Sequence, residues 1–117
     1  MAKNIEFNGK MYHCTVGLAM DMIGGKWKVV ILYYLKDREK RYSQLRKEMP
    51  DITEMTLSLQ LKQLEEVGLI SRTVYGEKPP IKVIYKLTPF GHTFVPALEA
   101  INNWGHTVVR EKCEAVD

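Results

Sequence analysis

Cysteine is scarce in this chain: Cys14 and Cys113 are the only two among 117 residues. Long apolar runs are missing as well. The longest, Val29 to Leu35, is far too short to span a bilayer. The opening stretch MAKNIEFNGKMYHC contains no apolar segment of the signal-peptide kind. With two cysteines and no export signal, the chain is expected in the cytoplasm with reduced thiols. Catalytic signatures are absent too: there is no Walker loop, GxGxxG, HExxH or CxxC. His13, His92 and His106 are scattered, with no metal-ligand spacing that includes the cysteines. No metal and no cofactor are therefore expected, and no enzyme. The remote enzymatic alternative is a thiol-based one built on Cys14, which would still need a general base and a pocket.

What is present is enough for one domain with one modest core. The net charge is +3, a weak hint, but its distribution says more. Lys26, Lys28, Lys36, Arg38, Lys40, Arg41, Arg46 and Lys47 crowd one segment in which Asp37 and Glu39 are the only acids. Such a concentration is the electrostatic footprint of a polyanion partner, or else a solvated face.

Residues 1–12 read as a loose arm. Thr15 to Ile23 reads as a short helix with Val16, Met20 and Ile23 inward, closed by Gly24-Gly25. In KWKVVILYYLKD, Trp27, Val30, Ile31, Tyr34 and Leu35 follow the spacing of a buried stripe. YSQLRKEMPDI is a shorter helix with Ser43 as its start and Pro50 as its stop. Thr53 caps the next helix, which ends at Val67-Gly68. After it, LISRTVYG and IKVIYKLT are rich in β-branched and aromatic residues and flank the turn GEKPP: a hairpin over 69–87. A further short strand is expected near Lys40-Arg41-Tyr42. Thr88 and Pro89 open a helix over 88–112. Its residues Phe90, Phe94, Ala97, Ile101, Trp104 and Val108 are spaced 4, 3, 4, 3, 4, which is a heptad seam. Such a helix would be roughly 35 Å long, so part of the seam should reach past the chain's own core to a second copy. Pro96 should kink it. A long core helix without a partner is the alternative.

Short helix, tight turn, longer helix and β-ribbon make a winged helix-turn-helix, mainly α with a small hairpin wing. The helix-turn-helix covers 43–67. In DITEMTLSLQLKQLEEVGLISR, Leu57, Leu61 and Leu64 lie on one face, as core packing requires. Met55, Thr56, Ser58, Leu59, Lys62 and Gln63 are left to face double-stranded DNA. A groove-facing surface can include apolar residues, because a thymine methyl is an apolar target. A protein contact or burial against the hairpin would also use Met55 and Leu59. Candidate phosphate contacts are Lys40, Arg41, Tyr42, Ser43 and Arg46 around the helix-turn-helix, with Arg72, Lys78 and Lys82 on the wing. Ser43 has a second reading as a cap, and Arg72 as an ion-pair partner of Glu65 or Glu66. Cys14 precedes a helix start, where the backbone field favours thiolate, although free cysteines are usually packing residues. A winged helix that binds only protein is the main alternative function.

The chain resembles the HxlR-type winged-helix transcriptional regulators, a MarR-like group. The resemblance is carried by Cys14, IGGKWKVVIL, RYSQLRKEMPDIT, LSLQLKQLEEVGLISRTVYGEKPPIKVIYKLTPFG and Trp104-Gly105, and it spans residues 14 to 105. It implies a homodimer, joined through the N- and C-terminal helices, that binds an operator. It further implies that Cys14 senses oxidants or electrophiles, as in some members. The chain departs from the family pattern at Thr15, where a proline is usual. It departs again at Met55 and Leu59, where polar residues are common, and in carrying Cys113.

Overall fold

The expected loose arm is, from its fifth residue, a hairpin. The computed structural model describes residues 4–114, so the first part of that arm lies outside the described residues. Strands β1 (Ile5–Phe7) and β2 (Lys10–Tyr12) pair antiparallel, with Phe7 opposite Lys10. The two-residue link is Asn8-Gly9, at φ 51° and 77°. Positive φ at both positions is the type I′ turn, whose twist matches that of the flanking strands, and Asn-Gly is its preferred pair. The Asp21 carboxylate fastens the hairpin to the first helix, accepting from Lys10 Nζ at 2.9 Å and from the Tyr12 hydroxyl at 2.6 Å. These two bonds, Tyr12 first, hold the Asp21 carboxyl below its ordinary value.

Helices α1 (Thr15–Ile23), α2 (Lys28–Leu35), α3 (Tyr42–Glu48) and α4 (Glu54–Glu66) follow, with strand β3 (Lys40–Arg41) between α2 and α3. The wing is β4 (Ile70–Tyr75) and β5 (Lys82–Leu87), and β3 pairs on the free edge of β5, giving the order β3-β5-β4. The register sets Ile70 opposite Leu87 and Arg72 opposite Tyr85, while Lys40 also faces Tyr85. The hairpin is thus not isolated: its inner residues Ile70, Tyr85 and Leu87 join the helical core.

That core is built on Ile31, Leu32 and Leu35 of α2, Leu45 and Met49, Ile52, and Leu57, Leu61 and Leu64 of α4. Each fully buried leucine contributes about 1.5–3 kcal/mol, so the three on α4 lock its inner face to the domain. In α2 the buried stripe is Ile31, Leu32 and Leu35, whereas Val30 is exposed. The difference arises because α2 begins only at Lys28, and its inner face turns toward Leu32. In α3 the cap is Arg41, not Ser43, and the Gln44 side chain accepts from the Arg41 N–H at 2.7 Å. At α4 the Thr53 hydroxyl accepts from the Thr56 N–H at 3.1 Å, a regular N-cap.

The expected helix over 88–112 is broken in two. Helix α5 (Pro89–His92) ends in a tight turn at Thr93-Phe94, and α6 (Val95–Lys112) starts anew. Pro96 has no N–H to give to His92 and its ring would clash with that carbonyl, so the chain breaks and proline takes a place in the first turn of α6. At 1.5 Å per residue, 18 residues give α6 about 27 Å. The seam changes accordingly. Phe94 packs on the chain's own core, Val108 is half-buried, and Leu98 is the residue α6 buries completely. Phe90, Ala97, Ile101 and Trp104 are exposed.

Helix α1 has no buried residue at all. Val16 is 66% exposed and Met20 53% exposed, against the expectation that they face inward. The radius of gyration is 16.4 Å, where a compact chain of this length would have about 13 Å. The N-terminal hairpin, α1 and the end of α6 extend from a small core instead of closing over it.

Candidate nucleic-acid interface

Helix α3, the turn at Met49–Thr53 and α4 form the helix-turn-helix, and one cation fixes its angle. The Arg46 guanidinium donates to the Ile52 carbonyl inside the turn and lies 4.0 Å from a Glu54 carboxylate oxygen. Arg46 thus bridges the turn, while its side chain stays 32% exposed. Lys40 is more fully engaged within the domain. Its ammonium sits 2.6 Å from both Glu48 oxygens, over the Tyr34 ring, and its side chain is only 11% exposed. The basic segment as a whole is dispersed. Lys26 lies over Trp27, Lys28 bonds Gln63, and Lys36 bonds Asp37. Charge counting missed this because a helix and a turn send neighbouring lysines in different directions.

Five of the residues read from the sequence do come together. Arg41, Tyr42 and Ser43 from the start of α3, Ser58 from α4 and Arg72 from β4 line one open groove of about 440 Å³ between α4 and the wing. Ile81, Val83 and Tyr85 form its floor and far wall. The Arg72 guanidinium makes no ion pair with Glu65 or Glu66 among the described residues, and is exposed. Lys78 stands at the exposed wing tip, and Lys82 lies 6.0 Å over the Tyr75 ring.

The exposed face of α4 is sorted by hydrogen bonding. The Ser58 hydroxyl is 3.3 Å from that of Tyr42, which also donates to the Glu54 carbonyl. The Thr56 hydroxyl accepts from Thr53 at 2.8 Å. Gln63 turns toward α2, accepting from Lys28 Nζ at 2.7 Å, so it leaves the outward face. The sequence holds no local signal for this bond, whose partners are 35 positions apart. Met55 is 83% exposed and Leu59 49% exposed, and Lys62 is exposed beside them.

Far from this face, Cys14 caps α1 with its backbone, its carbonyl accepting from the Leu18 N–H at 3.1 Å. The Cys14 side chain makes no cap hydrogen bond, but the backbone amides of Gly17 and then Val16 hold the exposed thiol below its ordinary value. Cys113 is exposed at the end of α6.

Residues 22–113 match the HxlR-like helix-turn-helix family. The chain belongs to that family. It is 48% identical over 92 residues to the uncharacterized HTH-type transcriptional regulator YdeP of Bacillus subtilis (strain 168), spanning 79% of this chain and 71% of that protein. Among solved structures, the redox regulator HypR superposes in its oxidized form with a TM-score of 0.76 at 41% identity, covering 80% of this chain and 96% of HypR. Its reduced form gives 0.78 at 40% identity, over 84% and 95%. Among the described residues of this HxlR-like chain, no helix is long and apolar enough to cross a membrane.

Proposed function

We propose that this protein is a sequence-specific, DNA-binding transcriptional regulator. It acts in the cytoplasm as a homodimer on an inverted-repeat operator. The carrying observation is the placement of α4: its outer residues are unburied, and the adjoining groove holds the Arg41 and Arg72 guanidiniums. In this reading α4 enters the major groove. Arg41, Ser43 and Arg72 hold phosphates beside it, and Lys78 and Lys82 of the wing reach the neighbouring backbone. Two copies related by a two-fold axis would place half-sites roughly 34–36 Å apart.

The test is capture of genomic fragments on the purified protein, followed by titration of the enriched duplex at several salt concentrations. Binding is expected to weaken steeply with salt through counterion release. Lys78→Ala should lower affinity for all sequences alike and flatten the log–log salt slope by about 1. Met55→Ala on α4 should shift base preference instead. A wing variant that changed preference, with an α4 variant that did not, would reverse the roles of wing and helix.

Cys14 is the proposed point of control. HypR is a redox regulator with solved oxidized and reduced structures. Here Cys14 is exposed, with its thiol lowered by the α1 amides. More thiolate at neutral pH means faster attack on an oxidant or electrophile. Mild peroxide or a quinone should therefore modify Cys14 before Cys113, as peptide mass mapping would show. Operator affinity should respond in the wild type and not in Cys14→Ser. Equal responses in the two proteins would remove Cys14 from the switch.

A further inference from the structure

We propose that Met55 and Leu59 read the 5-methyl groups of two thymines within three consecutive base pairs of each half-site. The inference rests on the DNA-binding reading above and specifies what that face recognises. It begins from hydrogen bonding. The polar neighbours that would read base edges are engaged within the protein: Ser58 with Tyr42, Thr56 with Thr53, and Gln63 with Lys28. Met55 and Leu59 are the large apolar side chains that α4 leaves exposed, followed at the next position of the same stripe by Lys62.

Charge identifies the kind of partner. Arg41 and Arg72 line the groove that Ser58 of the same helix borders, and Lys62 follows Leu59 on α4. An apolar protein surface would leave unmatched these three exposed cations, which have no carboxylate within 4.0 Å among the described residues. A polyanion satisfies all three. Within a DNA major groove the one apolar group displayed by any base is the thymine methyl. Buried against a Met or Leu side chain, each methyl loses its contact with water, while neither side chain makes or breaks a hydrogen bond.

Spacing sets the register. Met55 and Leu59 are four residues apart, so they stand about one helical turn, 5.4 Å, from each other on one face. Base pairs on one strand are about 3.4 Å apart. The two methyls must then lie on neighbouring or next-but-one base pairs. The first half of α4 carries the positive end of the helix dipole, whereas Glu65 and Glu66 close the other end. The half that holds Met55 and Leu59 therefore enters the groove, with Glu54 of the first turn 4.0 Å from Arg46.

The experiment replaces thymine by deoxyuridine, which differs only by the methyl. An operator is first selected from a random duplex library, with reduced and with peroxide-treated protein. Deoxyuridine is then placed at each thymine of one half-site, and affinity is read by fluorescence anisotropy. For the wild type, two positions within three base pairs should each lose about fourfold, and both together roughly 15-fold, from the burial of a methyl-sized apolar group. The variant Met55→Ala/Leu59→Ala should bind the thymine and deoxyuridine operators almost equally. Both side chains are exposed, so the variant should melt as the wild type does. A wild type indifferent to deoxyuridine, or a double variant that kept the full thymine preference, would overturn the assignment while leaving DNA binding intact. A library in which nothing is enriched would overturn the DNA reading itself and turn the face over to a protein partner.

Discussion

Ile101→Asp should turn the protein into a folded monomer and weaken operator binding by at least about 100-fold, the gain that bivalent attachment ordinarily provides. Ile101 is exposed in the single chain, and so is Trp104 at 69%. An aspartate at Ile101 therefore meets water in the monomer and leaves the fold alone. In a two-fold dimer the same substitution appears twice, on a self-complementary surface. Each buried, unpaired carboxylate then costs several kcal/mol.

The apolar material available for such a surface is considerable. Val16 and Met20 on α1, Phe90 on α5, and Ile101, Trp104 and Val109 on α6 are all exposed. Helix α1 buries none of its nine residues and meets the core through Ile23, so its outer face is open to a second copy. Sedimentation of the wild type at micromolar concentration should give twice the chain mass. The variant should give the single mass with unchanged circular dichroism. A monomeric wild type, or a variant that stayed dimeric, would remove the seam from the function.

Where the sequence pattern was strong, it was legible. Thr53, the leucines of α4 and the Val67-Gly68 end were read correctly because cap, period and stop agree on one helix. Gly68, at φ 83°, is the left-handed terminator that pattern demands. The N-terminal hairpin carried a clear signal in Asn8-Gly9, but its strands are only three residues each. So short an alternation is easily taken for none. The broken C-terminal helix shows a different weakness. Its heptad spacing is real in the sequence, yet Pro96 breaks the backbone that the spacing assumes, and the seam's first two phenylalanines fall outside α6.

The candidate site was legible in its residue types and less so in their directions. Arg41, Tyr42, Ser43, Ser58 and Arg72 meet in one groove because β3 and β4 both lie beside β5. Lys40 and Arg46 suggest phosphate contacts by their charge and their place beside the helix-turn-helix. Their partners, the Glu48 carboxylate and the Ile52 carbonyl, are brought close by the turn into α3 and the turn after it. Such pairings depend on tertiary direction and are invisible to composition. The exposed Met55 and Leu59 were visible from the start as apolar residues on the wrong face, and the fold leaves them uncovered.

Gly91→Ala should lower the melting temperature by about 10–20 °C, the shift expected for about 3 kcal/mol in a domain of this size. The cause is space, since the conformation at Gly91 is helical. A Cβ there would stand 2.0 Å from the Leu69 carbonyl oxygen, 3.1 Å from its carbon and 3.4 Å from the Leu87 Cβ. None of these atoms can step aside cheaply. Leu69 accepts from the Thr88 N–H at 3.1 Å, and the next residue, Ile70, is in register with Leu87. On the glycine's own side, the Gly91 N–H donates to the Thr88 hydroxyl at 2.9 Å, and Pro89 limits the backbone between them. The first turn of α5 is thus held against the joint between α4 and the wing. Scanning calorimetry at one fixed protein concentration, as the proposed dimer requires, should record the drop. A midpoint within about 2 °C of the wild type would mean that the joint yields after all. If α5 is instead displaced in the surviving folded fraction, α6 shifts relative to α4, and in the proposed dimer the spacing of the two recognition helices shifts with it. Operator affinity should then fall at temperatures well below the melt, so one methyl group at Gly91 would be read in both stability and DNA binding.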